Sequence, residues 1–138
     1  MNQILLDTGP LVAFLNRRDH FHDWTKTVWE QAEPPFLSCE AVLAEACFLL
    51  RRSHNGAHSV LEMVKRGVIT TSFRLENEVA TVDKLLVHYA DVPMSLADAC
   101  LVRMAELSPK SSVLTIDDDF LIYRKNRRQK IPLVMPSH

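Results

Sequence analysis

Apolar positions along the chain alternate between short unbroken runs and helical stripes. Ile4-Leu5-Leu6 shows no polar alternation and predicts a strand buried on both faces. The run stops at Asp7. Gly9 and Pro10 then break the strand and prepare a helix start, with proline suited to a first helical turn. A short helix is expected over 11–15 and a second over 20–32, where Trp24, Val28 and Trp29 share a stripe and Pro34-Pro35 ends it. Phe36-Leu37 predicts a minimal second strand. Ser38 is a good N-cap for a helix running to about residue 52. A helix over 54–66 closes at Gly67. The β-branched stretch 68–71 predicts a third strand. Residues 75–90 form a helical stripe of Val79, Val82, Leu85, Leu86 and Tyr89, and Ser95 caps a helix over 96–107. A fourth strand is expected over 112–116. Asp117-Asp118-Asp119 opens a short helix to about 125, and 131–135 predicts an edge strand interrupted by Pro132.

Strands alternating with helices imply an α/β chain whose parallel sheet is covered on both faces. Asp7 then ends a central strand, at the edge where open α/β sheets bind ligands. Composition changes this picture little. With 138 residues, 47% of them hydrophobic, one domain over 1–138 with one real core is expected. A formal net charge of -1 argues against a strongly basic, non-specific nucleic-acid binder. Phosphate binding would need local basic patches or metal ions. Cys39, Cys47 and Cys100 form no C-x-x-C and lie in apolar stretches, which predicts reduced buried thiols and a cytoplasmic chain. No basic-then-apolar leader precedes Ile4, and no apolar run approaches the roughly 18 residues of a membrane span. His20, His22, His54, His58, His88 and His138 match no zinc spacing and are expected at the surface.

The acids carry the chemistry. In the helix after Ser38, Glu45 stands three after Val42 and four before Leu49, which places it on the apolar face with Ala46. Asp98 stands three before Leu101 and four before Val102, and is likewise expected to point inward. Each acid also has a plainer explanation. Ser95 and Asp98 nearly match a capping box, Glu45 fits a rim position, Asp117 fits a helix cap and Asp7 fits a turn. Taken together the four favour a site. Asp7 and Asp117 end strands on one sheet edge, and Glu45 and Asp98 lie near the starts of helices at that edge. Two carboxylates about 5 Å apart repel by roughly 3 kcal/mol at an effective dielectric near 20. Such a cluster needs protons or a cation, and all-oxygen ligands favour Mg²⁺ or Mn²⁺. Ions held this way suit phosphate chemistry.

The chain resembles the PIN-domain family, and within it the small ribonuclease toxins of the VapC type. The resemblance rests on Leu5-Leu6-Asp7-Thr8-Gly9-Pro10-Leu11, on Glu45 with Leu49-Leu50-Arg51-Arg52, on Ser95-Leu96-Ala97-Asp98-Ala99, and on Leu114-Thr115-Ile116-Asp117-Asp118-Asp119-Phe120. It covers nearly the whole chain. It implies a three-layer α/β/α fold whose five-stranded parallel sheet has order 3-2-1-4-5. It implies Asp7, Glu45, Asp98 and Asp117 around Mg²⁺ or Mn²⁺ as the catalytic acids. Thr8, Thr115 and Asp119 stand behind them, the hydroxyls orienting carboxylates. It implies hydrolysis of RNA phosphodiesters by metal-activated water, a homodimer and a cognate antitoxin.

Candidate RNA contacts are Arg17-Arg18, Arg51-Arg52 and the run 124–130, which carries five positive charges and includes Arg124, Arg127 and Arg128. A solvated loop before the edge strand is the plainer reading of that run. Two other functions stay open. One is a non-catalytic PIN module that binds nucleic acid or a protein partner. The other is a small metal-dependent phosphoesterase, although the D-x-D-x-T of haloacid dehalogenases is absent after the first strand.

Overall fold

The structure is a computed structural model that describes residues 2–137; His138, expected at the surface, lies outside them. In chain order it runs β1 (Gln3–Leu6), α1 (Thr8–Leu15), α2 (His22–Gln31), β2 (Phe36–Leu37), α3 (Glu40–Leu49), α4 (Gly56–Lys65) and β3 (Ile69–Thr70). There follow α5 (Leu75–His88), α6 (Leu96–Leu107), β4 (Ser111–Leu114), a 3₁₀ turn over Asp118–Leu121, β5 (Arg124–Lys125), β6 (Gln129–Lys130) and β7 (Leu133–Val134). Five strands pair in the order β3-β2-β1-β4-β7, all parallel, as expected for a three-layer α/β/α fold.

Strand β1 sits at the centre because both its faces are apolar. Leu5 and Leu6 are wholly buried, and Leu6 pairs with Leu114 of β4. Chain order runs outward from β1 through β2 to β3, then returns to β4 on the other side. That reversal makes the β1–β4 edge the switch point where doubly wound sheets open a crevice. No helix among the described residues is long and apolar enough to cross a membrane.

Several local expectations are corrected. Helix α1 begins at Thr8, with Gly9 and Pro10 inside its first turn, because Asp7 itself is the N-cap and accepts from the Thr8 amide. Ser38 does not cap α3; its hydroxyl donates to the Leu6 carbonyl at 2.9 Å, tying the end of β2 to the end of β1. The buried stripe of α3 follows Val42, Ala46 and Leu50, so Leu49 and Glu45 fall on its exposed flank. Val79 of α5 is exposed too, because Val82 and Tyr89 carry the burial there. The run 124–130 is no open loop. It folds into an antiparallel hairpin, β5 against β6, and buries Lys125. His22 is half-buried and its Nδ1 lies 2.8 Å from the Ala13 carbonyl oxygen.

Gly56 marks the tightest helix junction. A Cβ there would stand 2.7 Å from Leu50 Cβ and collide with the Leu50 carbonyl, where α4 starts against the end of α3. Backbone cannot yield as a side-chain tip can. Gly56→Ala is therefore expected to destabilise the protein by about 1–3 kcal/mol, read as a lower urea midpoint. A neutral substitution would show that the α3–α4 junction is loose.

Candidate active site

Asp7 follows the last residue of β1, and its amide still donates to the Leu114 carbonyl at 3.1 Å, so the ladder holds it in place. Its side chain is 5% exposed. Oδ1 accepts from the Thr8 amide at 2.8 Å and Oδ2 from the Thr115 hydroxyl at 2.7 Å. Thr115 continues β4 and accepts in turn from the Asp117 amide at 3.0 Å. One hydroxyl thus links the ends of the two central strands. Asp117 then caps the 3₁₀ turn, its Oδ1 accepting from the Asp119 amide at 2.9 Å.

Asp98 is supplied by α6 and is 8% exposed. It completes a full capping box: its amide donates to Ser95 Oγ at 3.0 Å, and its Oδ2 accepts from the Ser95 amide at 3.2 Å. Capping and site placement are therefore compatible, because the first turn of α6 opens at the same sheet edge. Oδ2 also accepts from the buried Tyr123 hydroxyl at 3.1 Å. Nothing in the sequence singled out Tyr123. The only available signal was a tyrosine three residues after Phe120, whose hydroxyl would need a partner once the ring was buried.

Burial and neighbouring acids reshape the electrostatics. Desolvation pushes the Asp7 carboxyl up to about 7; the Thr115 and Thr8 hydrogen bonds oppose it, and the charges of Asp98 and Asp117 add to it. Burial raises Asp98 as well, against the Ser95 and Tyr123 hydrogen bonds and with the Asp117 charge. Burial, with Asp117 and Asp118, raises Asp119. Desolvation and the Asp98 carboxylate drive the Tyr123 hydroxyl far above its usual range, so it stays a donor.

Glu45 reaches the end of β1 through Thr8. It is exposed, and its Oε2 accepts from the Thr8 hydroxyl at 3.0 Å. The charges of Asp98 and Asp117 act on Asp7, and that of Asp117 acts on Asp98. Among the described residues, no three acidic, histidine or cysteine side chains are arranged to close around one ion. The donor chemistry nonetheless fits a hard cation, since every candidate atom is a carboxylate oxygen and burial leaves Asp7 needing a proton or a counter-ion.

The basic candidates scatter. Arg17, Arg52 and Arg128 are exposed and form no ion pair among the described residues. Arg51 stacks over the Phe48 ring, 4.0 Å from its centroid. Arg124 and Arg127 line one cavity beside α5 and α6.

A raised carboxyl couples folding to proton uptake. Between the unfolded value of 3.8 and the folded value of about 7, native Asp7 keeps a proton that the unfolded chain has lost. Its contribution is complete below the unfolded value and vanishes as pH rises through the folded one. Metal-free protein should therefore lose up to about 4 kcal/mol between pH 4 and pH 7 from Asp7. Asp7→Asn should flatten most of that slope in urea titrations at several pH values. A wild-type stability that rises across this window would contradict the burial argument.

The chain matches the PIN domain family model over residues 4–126. No curated protein matches the sequence. Among solved structures, the chain is similar to Mycobacterium tuberculosis VapC20, described as a sarcin-ricin loop cleaving toxin, with a TM-score of 0.77 and 21% identity. The superposition covers 85% of this chain and 92% of that one. At that identity the likeness speaks to the fold. The family match takes in the Asp7 turn, the Asp98 helix and the Asp117 turn together, and this chain belongs to the PIN domain family.

Proposed function

We propose that this protein is a divalent-metal-dependent endoribonuclease of the VapC toxin type. The carrying observation is the pair of buried carboxylates, Asp7 and Asp98, held by hydroxyls and amides at the switch point of the sheet. Membership of the PIN family and the likeness to a sarcin-ricin loop cleaving toxin support RNA as the substrate. In this reading the protein works in the cytoplasm as a homodimer and is silenced by a cognate antitoxin.

Asp7 and Asp98 would hold Mg²⁺ or Mn²⁺, with Asp117 nearby. Mg²⁺ is commonly bound through one or two carboxylates, with water and substrate oxygens completing its shell, so a site with no third direct protein ligand fits it. When bound, the ion supplies charge neutralisation at the phosphate and lowers the pKa of a coordinated water. The chain's own residues orient that centre. Thr115 and the Thr8 amide fix both oxygens of Asp7, so its carboxylate plane cannot turn. Ser95 and Tyr123 hold Oδ2 of Asp98. Thr8 holds Glu45 at the rim, where a carboxylate can accept a proton from incoming water.

Three outcomes test this. With Mg²⁺ or Mn²⁺, wild-type protein should cleave single-stranded RNA, and Asp7→Asn and Asp98→Asn should each lose at least about 100-fold while keeping the wild-type circular dichroism. Equal cleavage by all three would refute the assignment; RNA binding without turnover in the wild type would favour a non-catalytic module. Tyr123→Phe removes only one hydrogen bond to Asp98, so cleavage and metal affinity should drop about 10–100-fold, as for other residues that orient a metal ligand. Mg²⁺ should raise the thermal midpoint of wild type more at pH 8 than at pH 6, because it binds ionised Asp7, and should leave Asp7→Asn nearly unmoved. A shift independent of both pH and Asp7 would place the ion elsewhere.

A further inference from the structure

Along α6 from Asp98 lies a second feature, a cavity of about 550 Å³ between α5, α6 and the β5–β6 hairpin. Its volume suits a nucleotide-sized ligand. Thr81, Lys84 and His88 line it from one face of α5, at helical spacing. Arg103 and Glu106 of α6 and Arg124, Asn126 and Arg127 of the hairpin complete it.

The charges in this cavity are unevenly satisfied. Arg103 is neutralised, its Nε donating to Glu78 at 2.7 Å and its NH1 to Glu106 at 3.1 Å. Glu106 has both oxygens engaged, because its Oε2 also accepts from the Asn126 amide at 2.7 Å. The cavity's one carboxylate therefore pins the hairpin turn to α6 and offers little repulsion to an anion. Lys84, Arg124 and Arg127 form no ion pair among the described residues. Arg124 is nonetheless held rigidly. Its NH1 donates to the carbonyls of Leu121, Ile122 and Tyr123, and its amide donates to the Tyr89 hydroxyl at 2.8 Å. Those neutral acceptors position the guanidinium without cancelling its charge.

The turn shows a second anomaly. Asn126 and Arg127 both have positive φ, 50° and 72°. Asparagine tolerates that region; arginine there is strained, and glycine would fit better. A strained arginine beside Lys84 and Arg124, which form no ion pair among the described residues, points to a use for its side chain. An aromatic contact links the cavity to Asp98. Tyr89 lines the cavity and packs edge-on against Tyr123 at 5.1 Å, and Tyr123 is the residue bonded to Asp98. Arg103 and Glu106 follow Asp98 by about 7 and 12 Å along the helix axis, a span that a short RNA strand bridges.

We propose that this cavity is a backbone subsite for single-stranded RNA, in which Lys84, Arg124 and Arg127 hold phosphates flanking the one at Asp7 and Asp98. The proposal rests on the ribonuclease reading above and adds where the strand runs after leaving the acidic site. Arg17, Arg51 and Arg52 have no part in it.

The test is a salt series on full-length protein in EDTA, with a short single-stranded RNA as ligand. Lys84→Gln and Arg127→Gly should each lower the slope of log affinity against log salt by about 0.7, and the double variant by about 1.4. Arg127→Gly also relieves the turn, so its thermal midpoint should equal or exceed that of wild type while its RNA affinity falls. Wild-type cleavage with Mg²⁺, measured in parallel, separates two failures. Unchanged slopes beside intact cleavage overturn the subsite alone. Absent RNA binding together with absent cleavage overturns both readings. Unchanged RNA slopes with lost binding of polyglutamate would overturn the subsite in favour of an acidic protein tail.

Discussion

The hydrogen bond from the Thr115 hydroxyl to Asp7 Oδ2 is the interaction on which the site depends. It spans 108 residues of sequence and 2.7 Å of space. It exists because β1 and β4 pair in a register that sets Leu6 beside Leu114, which brings the next residue of each strand together. A one-residue slip would turn every side chain of β1 to the opposite face and leave the Asp7 carboxylate without this partner. The same threonine oxygen receives the Asp117 amide, so the register of two strands also positions the turn that follows β4. Burying a carboxylate here works against stability, and the hydrogen bonds offset only part of the desolvation, which is why the Asp7 carboxyl rises to about 7. Functional sites commonly carry such local conflicts within an otherwise consistent fold.

Helix α6 ties this centre to the rest of the molecule. Its first turn uses Asp98 twice, as a capping-box acid and as a buried carboxylate. Its middle is packed on every side, from Ala99 to Val102, so the first turn has little freedom to shift. Tyr123 extends the connection through Phe120 and Tyr89, each ring 5.1 Å from it, to the hairpin that Glu106 pins. A rigid aromatic cluster thus forms one wall behind the acidic site and one beside the basic cavity.

The five strands of the parallel sheet were legible because each lies in a short apolar or β-branched run bounded by breakers, a pattern that survives any tertiary arrangement; their order was implied by the resemblance to the PIN-domain family. Helix faces were less so. Glu45 was expected on the apolar face with Leu49, yet the buried stripe of α3 turned toward Leu50 because that helix packs against α1, α4 and α6 together. Ser38 looked like a cap from its type and position, but the Leu6 carbonyl at the neighbouring strand end claimed its hydroxyl. The hairpin over 124–130 was hidden, since its turn uses Asn126 and Arg127 at positive φ where the usual turn signal is glycine.

The sequence by itself determined the alternation of strands and helices, the central place of β1 and the four acids worth watching. Those follow from periodicity and from the cost of putting charge beside apolar residues, which are local properties. Only the tertiary structure decided which of these acids are buried. Asp7 and Asp98 became buried neighbours because strand pairing and α6 packing bring distant segments to one edge, while Glu45 stayed at the rim on the hydroxyl of Thr8. Tyr123 entered the site, and a stretch of basic residues became the wall of a cavity, for the same reason: partners far apart in the chain are chosen by packing, which no local pattern records.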